Sequence, residues 1–272
     1  MRSIATKVGA AVGLMSVVGI TIVLLTGALA GATQRRHAGV DAVPRRDLAL
    51  PAPRRILVLT ETRGYHHASI PAAIAALRQF DDGDRRVALT FLAGARELTS
   101  ARLHGAAAVV FLLTSGELPL SGAGKRALLA FVRDGGGLVG FHSATDTFHH
   151  WPAYLALIGA EFSHHPRPST QRVIVEDRHT PATAALPASF QIHDEFYVFT
   201  HAPRPHVRVL ARLDTGPSGP DRPLVWCRRA GKGRVFYDAL GHFDTTWSDT
   251  RQLAIVAGAL DWASGVVAGG DC

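Results

Sequence analysis

The sequence predicts an α/β fold, in which helices cover a mostly parallel β-sheet. Short apolar runs such as 55–60 and 87–92 predict strands that are buried on both faces. Between these runs, apolar side chains recur at helical spacing, as in Ile70, Ile74 and Leu77. Strands that alternate with helices are joined by helical crossovers, so neighbouring strands are expected to be parallel.

Caps and turns place the other elements. The first helix is expected to begin after Ser69, a residue type that caps helices, with Pro71 in its first turn. Another helix is expected to begin at Ser121 and to end before Gly135, which adopts a left-handed backbone at little cost. Further strands are predicted at 106–113, 138–141, 173–175, 207–210, 224–227 and 234–237, and further helices at 151–158 and 250–263.

The N-terminal region differs in composition from the rest of the chain. From Val8 to Ala30 the sequence has no charged residue, and roughly 20 apolar helical residues span a bilayer. The pair Ala28 and Ala30 matches a signal-peptide cleavage pattern, so cleavage and retention both stay open. We therefore expect export, to the extracellular space or to the outer face of the cytoplasmic membrane. The predicted segments are a signal peptide or anchor at 1–30, a flexible linker at 31–53, the folded domain at 54–265 and a tail at 266–272.

Charge and cysteine content narrow the function classes. The net charge of +7 comes mainly from scattered arginines, without the basic helix or aromatic–basic stripe of nucleic-acid binders. A nucleic-acid partner is therefore not expected. Cys227 lies in a predicted strand and is expected to be a buried thiol, whereas Cys272 is the last residue. A disulfide between them is the alternative that an oxidising compartment allows.

The 14 histidines are grouped at the ends of predicted strands. His66 and His67 follow the first strand, His142 follows the glycine-rich strand at 138–141, and His242 follows the last predicted strand. The carboxyl ends of parallel strands meet at one edge, so we expect these groups to converge there. The candidate catalytic residues are His66, His142, Glu195 and His242, and the candidate substrate-binding residues are Tyr65, Ser143, Asp146, Trp151 and Asp194.

Two chemistries fit these residue types. In the first, a histidine and either Asp194 or Glu195 perform acid–base chemistry on a sugar. Neighbours along a strand face opposite ways, so only one of these two carboxylates is expected in the site. In the second, imidazoles and a carboxylate hold a divalent metal ion, although no local HExxH signature is present. A two-carboxylate glycosidase would need Asp146 or Glu161 as its second acid.

Six separated motifs carry a family resemblance. They are the segments 63–71 (RGYHHASIP), 135–146 (GGGLVGFHSATD), 151–152 (WP), 159–162 (GAEF), 194–197 (DEFY) and 233–242 (GRVFYDALGH). In this order they resemble the motifs of the ThuA-like (trehalose utilisation) family, and the resemblance covers residues 54 to about 264. It implies a flavodoxin-like, doubly wound domain of the class I glutamine amidotransferase-like type, and a link to disaccharide or keto-sugar metabolism.

One feature of the amidotransferase fold, the nucleophilic cysteine, is missing from the corresponding position of this sequence. That fold places a nucleophilic cysteine in a Gly-x-Cys-x-Gly elbow, whereas the corresponding run here, 140–144, has His142 at the nucleophile position. A glutaminase is therefore not expected. Ser143 does not lie in a Gly-x-Ser-x-Gly motif, which argues against a serine hydrolase.

The expected function is an exported protein that binds a sugar or keto-sugar and processes it by histidine/carboxylate chemistry, with a divalent metal as an open alternative. A non-catalytic carbohydrate-binding module and a membrane-tethered interaction domain are the rival functions. A small-molecule sugar is the expected partner, the membrane is a second partner if the N-terminal segment is retained, and a homodimer stays open.

Overall fold

The computed structural model describes residues 52–83, 86–267 and 272. The predicted signal peptide or anchor at 1–30 lies outside the described residues, as does nearly all of the predicted linker. Among the helices of the described part, none is long and apolar enough to cross a membrane.

The chain order of strands and helices follows the predicted alternation in its first half and departs from it after the fourth helix. The strands are β1 Arg54–Leu59, β2 Val87–Phe91, β3 Ala108–Leu112, β4 Gly137–Phe141, β5 Phe162–His164, β6 Ser169–Val175, β7 Ser189–Asp194, β8 Val198–Phe199, β9 Arg208–Leu213, β10 Pro223–Ala230 and β11 Gly233–Asp238. The helices are α1 Ile70–Gly83, α2 Ser100–Leu103, α3 Gly122–Arg133, α4 Pro152–Ile158 and α5 Thr250–Ser264.

Nine of these strands form one sheet in the order β2-β1-β3-β4-β11-β10-β9-β6-β7. We call β2, β1, β3, β4 and β11 the parallel half, because each adjacent pair in it is parallel. Its strand order is that of a flavodoxin-like sheet. The predicted fold class, α/β with a mostly parallel, doubly wound sheet, is confirmed.

The strands β10, β9, β6 and β7 extend this sheet, and we call them the antiparallel half because each pairs antiparallel with its neighbour. The hairpin of β10 and β11, predicted across residues 231–233, joins the two halves. The sequence prediction missed β7, because in the short segment Ser189–Asp194 only Phe190 and Ile192 carry the apolar half of the alternating strand pattern. The small sheet of β5 and β8 and the short helix α2 were also not predicted.

Helices cover both faces of the parallel half, and two glycines of β4 allow them to come close. A Cβ atom at Gly140 would lie 2.6 Å from Ile158 Cδ1 of α4. A Cβ atom at Gly137 would overlap the Ala263 carbonyl group of α5. These two residues are three apart, so they face opposite sides of the strand. The glycine run thus lets a helix pack tightly on each side of β4.

Two local predictions need correction. The Ser69 hydroxyl was expected to cap α1, but it donates a hydrogen bond to the Gly241 carbonyl oxygen at 2.8 Å. It thereby ties the loop after β1 to the loop after β11. Cys227 is not a free thiol, because it forms a disulfide with Cys272. Their Cα atoms are 5.6 Å apart, a separation that a disulfide spans without strain in the backbone.

Candidate active site

Three imidazoles and one carboxylate converge beyond the carboxyl edge of the parallel half. We call His67, His142, Glu195 and His242 the His–Glu cluster. One ligand atom from each side chain lies within 4.8 Å of the corresponding atoms of the others. The histidines follow β1, β4 and β11, and Glu195 follows β7. The expected convergence is therefore present for three of the four candidate catalytic residues, with His67 in place of His66.

His142 lies at a sharp turn between β4 and the short 3-10 helix His142–Asp146. Its backbone φ of 51° is in the left-handed region, which non-glycine residues adopt rarely and often at functional sites. The Tyr237 hydroxyl donates to the His142 carbonyl oxygen at 2.6 Å and helps to hold this turn. The side chain is fully buried, and its Nδ1 atom lies 2.7 Å from the Ala239 carbonyl oxygen.

That last contact fixes the tautomer of His142. A carbonyl oxygen only accepts hydrogen bonds, so Nδ1 carries a proton and Nε2 is the ring nitrogen that faces the cluster. His142 Nε2 lies 3.0 Å from His67 Nε2, 3.0 Å from the Tyr197 hydroxyl and 3.5 Å from Glu195 Oε2. His142 Nε2 therefore lies within 3.5 Å of three polar atoms.

His67 is a site residue that the sequence could not separate from its neighbour His66. It is 3% exposed, and its Nδ1 atom lies 3.4 Å from the Ser143 hydroxyl. Burial, together with the nearby imidazoles of His142 and His242, lowers the pKa of His67 from 6.5 to about 3. The ring is therefore neutral at physiological pH.

Glu195 provides the negative charge of the cluster. Its carboxylate lies 3.2 Å from His242 Nδ1 and 3.1 Å from His165 Nδ1. Burial opposes ionisation, but the close contacts with the imidazoles of His142 and His242 outweigh it and hold the pKa of Glu195 well below its usual range. The contact with Glu195 outweighs burial at His242 and raises the pKa of that imidazole. The pKa values of His67 and His242 are thus shifted in opposite directions.

Asp194 and Glu195 divide their roles as expected for strand neighbours. Asp194 was a candidate for substrate binding, but it is fully buried and makes contacts only within the protein. Its carboxylate accepts hydrogen bonds from the Gly241 and His242 backbone N–H groups, each at 3.0 Å, and from the Thr246 hydroxyl at 2.7 Å. Asp194 therefore positions the loop that carries His242 and does not face a ligand.

Three members of the cluster, His67, Glu195 and His242, line an open cavity of about 310 Å³, within the size range of small-molecule sites. Tyr65 is 61% exposed at its rim, and its ring meets that of His67 edge to face at 4.6 Å. Asp146 also lines the cavity, whereas Ser143 is buried behind His67. The lining residues are Tyr65, His67, Asp146, Phe162, His165, Glu195, Tyr197 and His242.

Two predicted site residues lie elsewhere. His66 is exposed, and its Nδ1 atom lies 3.2 Å from the Thr62 hydroxyl. Consecutive side chains in this loop point in different directions, so only one histidine of the pair can enter the cluster. Trp151 is 8% exposed and packs against Phe148 and Tyr154, with no place in the cavity wall.

Besides His67, three lining residues were not among the candidates. Phe162, His165 and Tyr197 come from the loop-rich segment after α4. Burial raises the pKa of Tyr197 well above its ordinary value, so its hydroxyl stays protonated, and it lies 3.0 Å from His142 Nε2. Tyr197 lies in the DEFY motif and His165 in a His-His pair, but neither signal specifies which way a side chain faces.

A second polar group lies beside the cavity. His149 contacts Asp146 Oδ1 through Nε2 at 2.9 Å and Glu161 Oε1 through Nδ1 at 2.8 Å. Burial lowers the pKa of His149, but the hydrogen bonds with both carboxylates outweigh it and raise that pKa. Asp146 is therefore held in place by the His149 imidazole while it lines the cavity.

Comparison with known proteins agrees with this architecture. The family model ThuA, described as trehalose utilisation, matches residues 55–263. A ThuA-like protein from Bacteroides uniformis ATCC 8492 aligns with a TM-score of 0.66 and 25% identity over 78% of this chain and 92% of that one. Another from Parabacteroides merdae ATCC 43184 has a TM-score of 0.64 and 19% identity, over 81% and 93%.

More distant structures share the fold alone. A β-galactosidase from Bacillus circulans sp. alkalophilus aligns with a TM-score of 0.52 at 10% identity, over 78% of this chain but 31% of that enzyme. No curated protein matches the chain. The match of the family model spans most of the sequence and all the strands that carry the cluster. The chain belongs to the ThuA (trehalose utilisation) family.

Proposed function

We propose that this protein binds a sugar or keto-sugar in the cavity and processes it at the His–Glu cluster. One observation carries the proposal: three imidazoles and a carboxylate from four separate loops converge, and three of these side chains, His67, Glu195 and His242, line a single open cavity. Because the chain belongs to the ThuA (trehalose utilisation) family, a sugar-related ligand is supported. Tyr65 and Phe162 offer aromatic faces, and the polar wall offers partners for hydroxyl groups.

The arrangement supports acid–base chemistry because its groups differ in charge. Neutral His67 and anionic Glu195 accept hydrogen bonds or protons, and His242, with its raised pKa, donates a proton to a sugar oxygen. Groups whose pKa values are pushed apart in one site are typical of acid and base partners. Asp146, held by His149, is placed to accept a hydrogen bond from a second hydroxyl.

The test uses the full chain with trehalose and with 3-keto-disaccharides. Binding is measured by calorimetry and product formation by NMR spectroscopy. We expect binding and turnover, and Glu195→Gln is expected to lower turnover by at least about 100-fold, since general acid–base groups contribute this much. The matched control is Glu117→Gln, which changes a carboxylate that pairs with exposed His150 outside the cavity.

The outcomes separate this function from its rivals. Binding with no turnover of any of these sugars contradicts the enzymatic proposal and favours a carbohydrate-binding module. If the chain binds none of these sugars, the enzymatic proposal and the carbohydrate-binding module are both contradicted, and an interaction domain is favoured. Equal losses of turnover in Glu195→Gln and Glu117→Gln would contradict a role for the cluster.

The location proposed for this activity is outside the cytoplasm. The Cys227–Cys272 disulfide supports it, because such bonds persist mainly in oxidising compartments. Thiol labelling of the chain isolated from its native cell tests the location. Labelling of both cysteines without prior reduction would contradict export.

A further inference from the structure

The His–Glu cluster has the composition and the spacing of a transition-metal site. Zinc in proteins takes four ligands at about 2.0–2.2 Å from nitrogen and oxygen donors, which places neighbouring donor atoms about 3.3 Å apart in a tetrahedron. The corresponding separations here are 3.0 Å between the Nε2 atoms of His67 and His142, and 3.5 Å between His142 Nε2 and Glu195 Oε2. His242 Nδ1 lies 3.2 Å from Glu195 Oε2.

His142 is oriented as metal-binding histidines are. A ligating imidazole usually donates its other ring N–H to a carbonyl or carboxylate oxygen, which fixes the tautomer and aims the free nitrogen at the ion. His142 does this through Nδ1 and the Ala239 carbonyl oxygen at 2.7 Å. Ser143 lies 3.4 Å from the outer nitrogen of His67 and can orient that ring in the same way.

An unsatisfied atom gives independent support. His242 Nδ1 is buried, and among the described residues it has no hydrogen-bond partner of acceptable geometry, although Glu195 Oε2 lies 3.2 Å away. A buried polar atom without a partner is costly and calls for an explanation. An ion between His242 and Glu195 would satisfy this nitrogen and the carboxylate together.

We infer that the His–Glu cluster binds a divalent first-row transition-metal ion, with Zn²⁺ as the best match to three imidazoles and one carboxylate. His67, Glu195 and His242 also line the cavity, so the ion faces the position of the ligand. An ion of this class polarises a carbonyl or hydroxyl oxygen that enters its coordination sphere. With the ion bound, His67, Glu195 and His242 would be its ligands, so the ion would take the place of the acid–base roles proposed for these three side chains.

The inference concerns the same site as the proposed function but does not depend on the identity of the sugar. The test uses the full chain, freed of metal with a chelator and then titrated with Zn²⁺ and, separately, with Co²⁺. Calorimetry measures the affinity for Zn²⁺, and visible absorption reports the ligand geometry around Co²⁺. Mg²⁺ serves as the control ion, because it prefers oxygen ligands.

We expect a single high-affinity Zn²⁺ site, visible Co²⁺ absorption that Zn²⁺ abolishes, and weak or no binding of Mg²⁺. Glu195→Gln and His242→Ala are each expected to weaken Zn²⁺ binding at least about 100-fold, the scale of losing one zinc ligand or its support. His66→Ala is the matched control, since this exposed neighbour of His67 contacts Thr62 and not the cluster. The control variant should bind Zn²⁺ as the unmodified chain does.

The inference is wrong if the folded chain binds neither Zn²⁺ nor Co²⁺, or if both cluster variants bind them unchanged. Circular dichroism confirms that each variant is folded before titration. Two variants at different strands are used so that a folding defect in one leaves the other as a test. Zn²⁺ binding without sugar binding would remove the proposed function and keep this inference, and sugar binding by a chain that binds no metal would do the reverse.

Discussion

The two halves of the sheet contribute differently to the site. The parallel half supplies the three histidines, each on a loop directly after a buried strand. The antiparallel half supplies Glu195, while Tyr197 and His165 come from the irregular segments around β7 and β5. The parallel half is thus a rigid scaffold that carries three imidazoles. The antiparallel half adds the Glu195 carboxylate, which contacts His242 and raises its pKa.

Asp194 joins these two contributions. It ends β7 in the antiparallel half, yet it accepts hydrogen bonds from the loop after β11 in the parallel half. Its neighbour Glu195 therefore reaches the histidines with a fixed geometry. The site therefore depends on a buried contact between the two halves of the sheet as much as on either half alone.

Breaking that contact is expected to have the largest effect on stability. Asp194→Ala leaves the N–H groups of Gly241 and His242 and the Thr246 hydroxyl without their buried acceptor. Each unsatisfied buried donor costs about 1–3 kcal/mol, so the free energy of unfolding should fall by about 5 kcal/mol. Urea denaturation measures this change.

The control for this variant is Asp214→Ala, which removes a carboxylate that is 31% exposed at the end of β9. It should change the free energy of unfolding by less than about 1 kcal/mol. A similar small change in Asp194→Ala would show that the halves are held together by other contacts.

A second buried acid lies within the parallel half and lacks a cationic partner. Asp238 is fully buried, and its carboxyl group accepts hydrogen bonds from the Leu240 N–H group and the Gln252 side chain. Burial outweighs these bonds and raises the pKa of Asp238 from 3.8 to about 7. The folded chain therefore binds a proton that the unfolded chain releases between about pH 4 and pH 7.

The sign of the resulting pH dependence follows from linkage. Asp238 favours the folded state less as the pH rises from about 4 to about 7, and the full difference is about 4 kcal/mol. In Asp238→Asn the side chain does not titrate. The free energy of unfolding of this variant, relative to that of the unmodified chain, should therefore increase by up to about 4 kcal/mol between pH 4 and pH 8. Chemical denaturation at a series of pH values provides the comparison, and a difference that does not vary with pH would contradict it.

The smallest expected effect tests how tightly the scaffold is packed. Gly140→Ala places a Cβ atom 2.6 Å from Ile158 Cδ1 and 2.9 Å from Ala144 Cβ, directly before the turn at His142. Overpacking of this kind costs about 2 kcal/mol. Thermal unfolding should show a lower melting temperature than that of Gly122→Ala, a control in the first turn of α3 whose new Cβ atom meets nothing closer than 3.7 Å. Equal melting temperatures would mean that α4 moves freely to accept the methyl group.

Much of the parallel half could be predicted from the sequence, because its strands are continuous apolar runs separated by caps and glycines. The helix from Ser121 to the Gly135 region lies where its end signals place it, and Gly135 has a φ of 128°. The antiparallel half was harder, since strands such as β7 are short and half exposed. Alternating polarity is typical of a half-buried strand, but in Ser189–Asp194 only Phe190 and Ile192 are apolar, so the signal is weak.

For the site, the sequence by itself determined which segments carry histidines and acids, and it predicted that only one of Asp194 and Glu195 enters the site. Only the tertiary structure decided that His67 and not His66 enters the cluster, and that Tyr197 reaches His142. The physical reason is that local pattern fixes the backbone period, and hence the alternation of faces along a strand. The direction of a side chain in an irregular loop depends on long-range contacts such as Ser69 with Gly241, 172 positions apart.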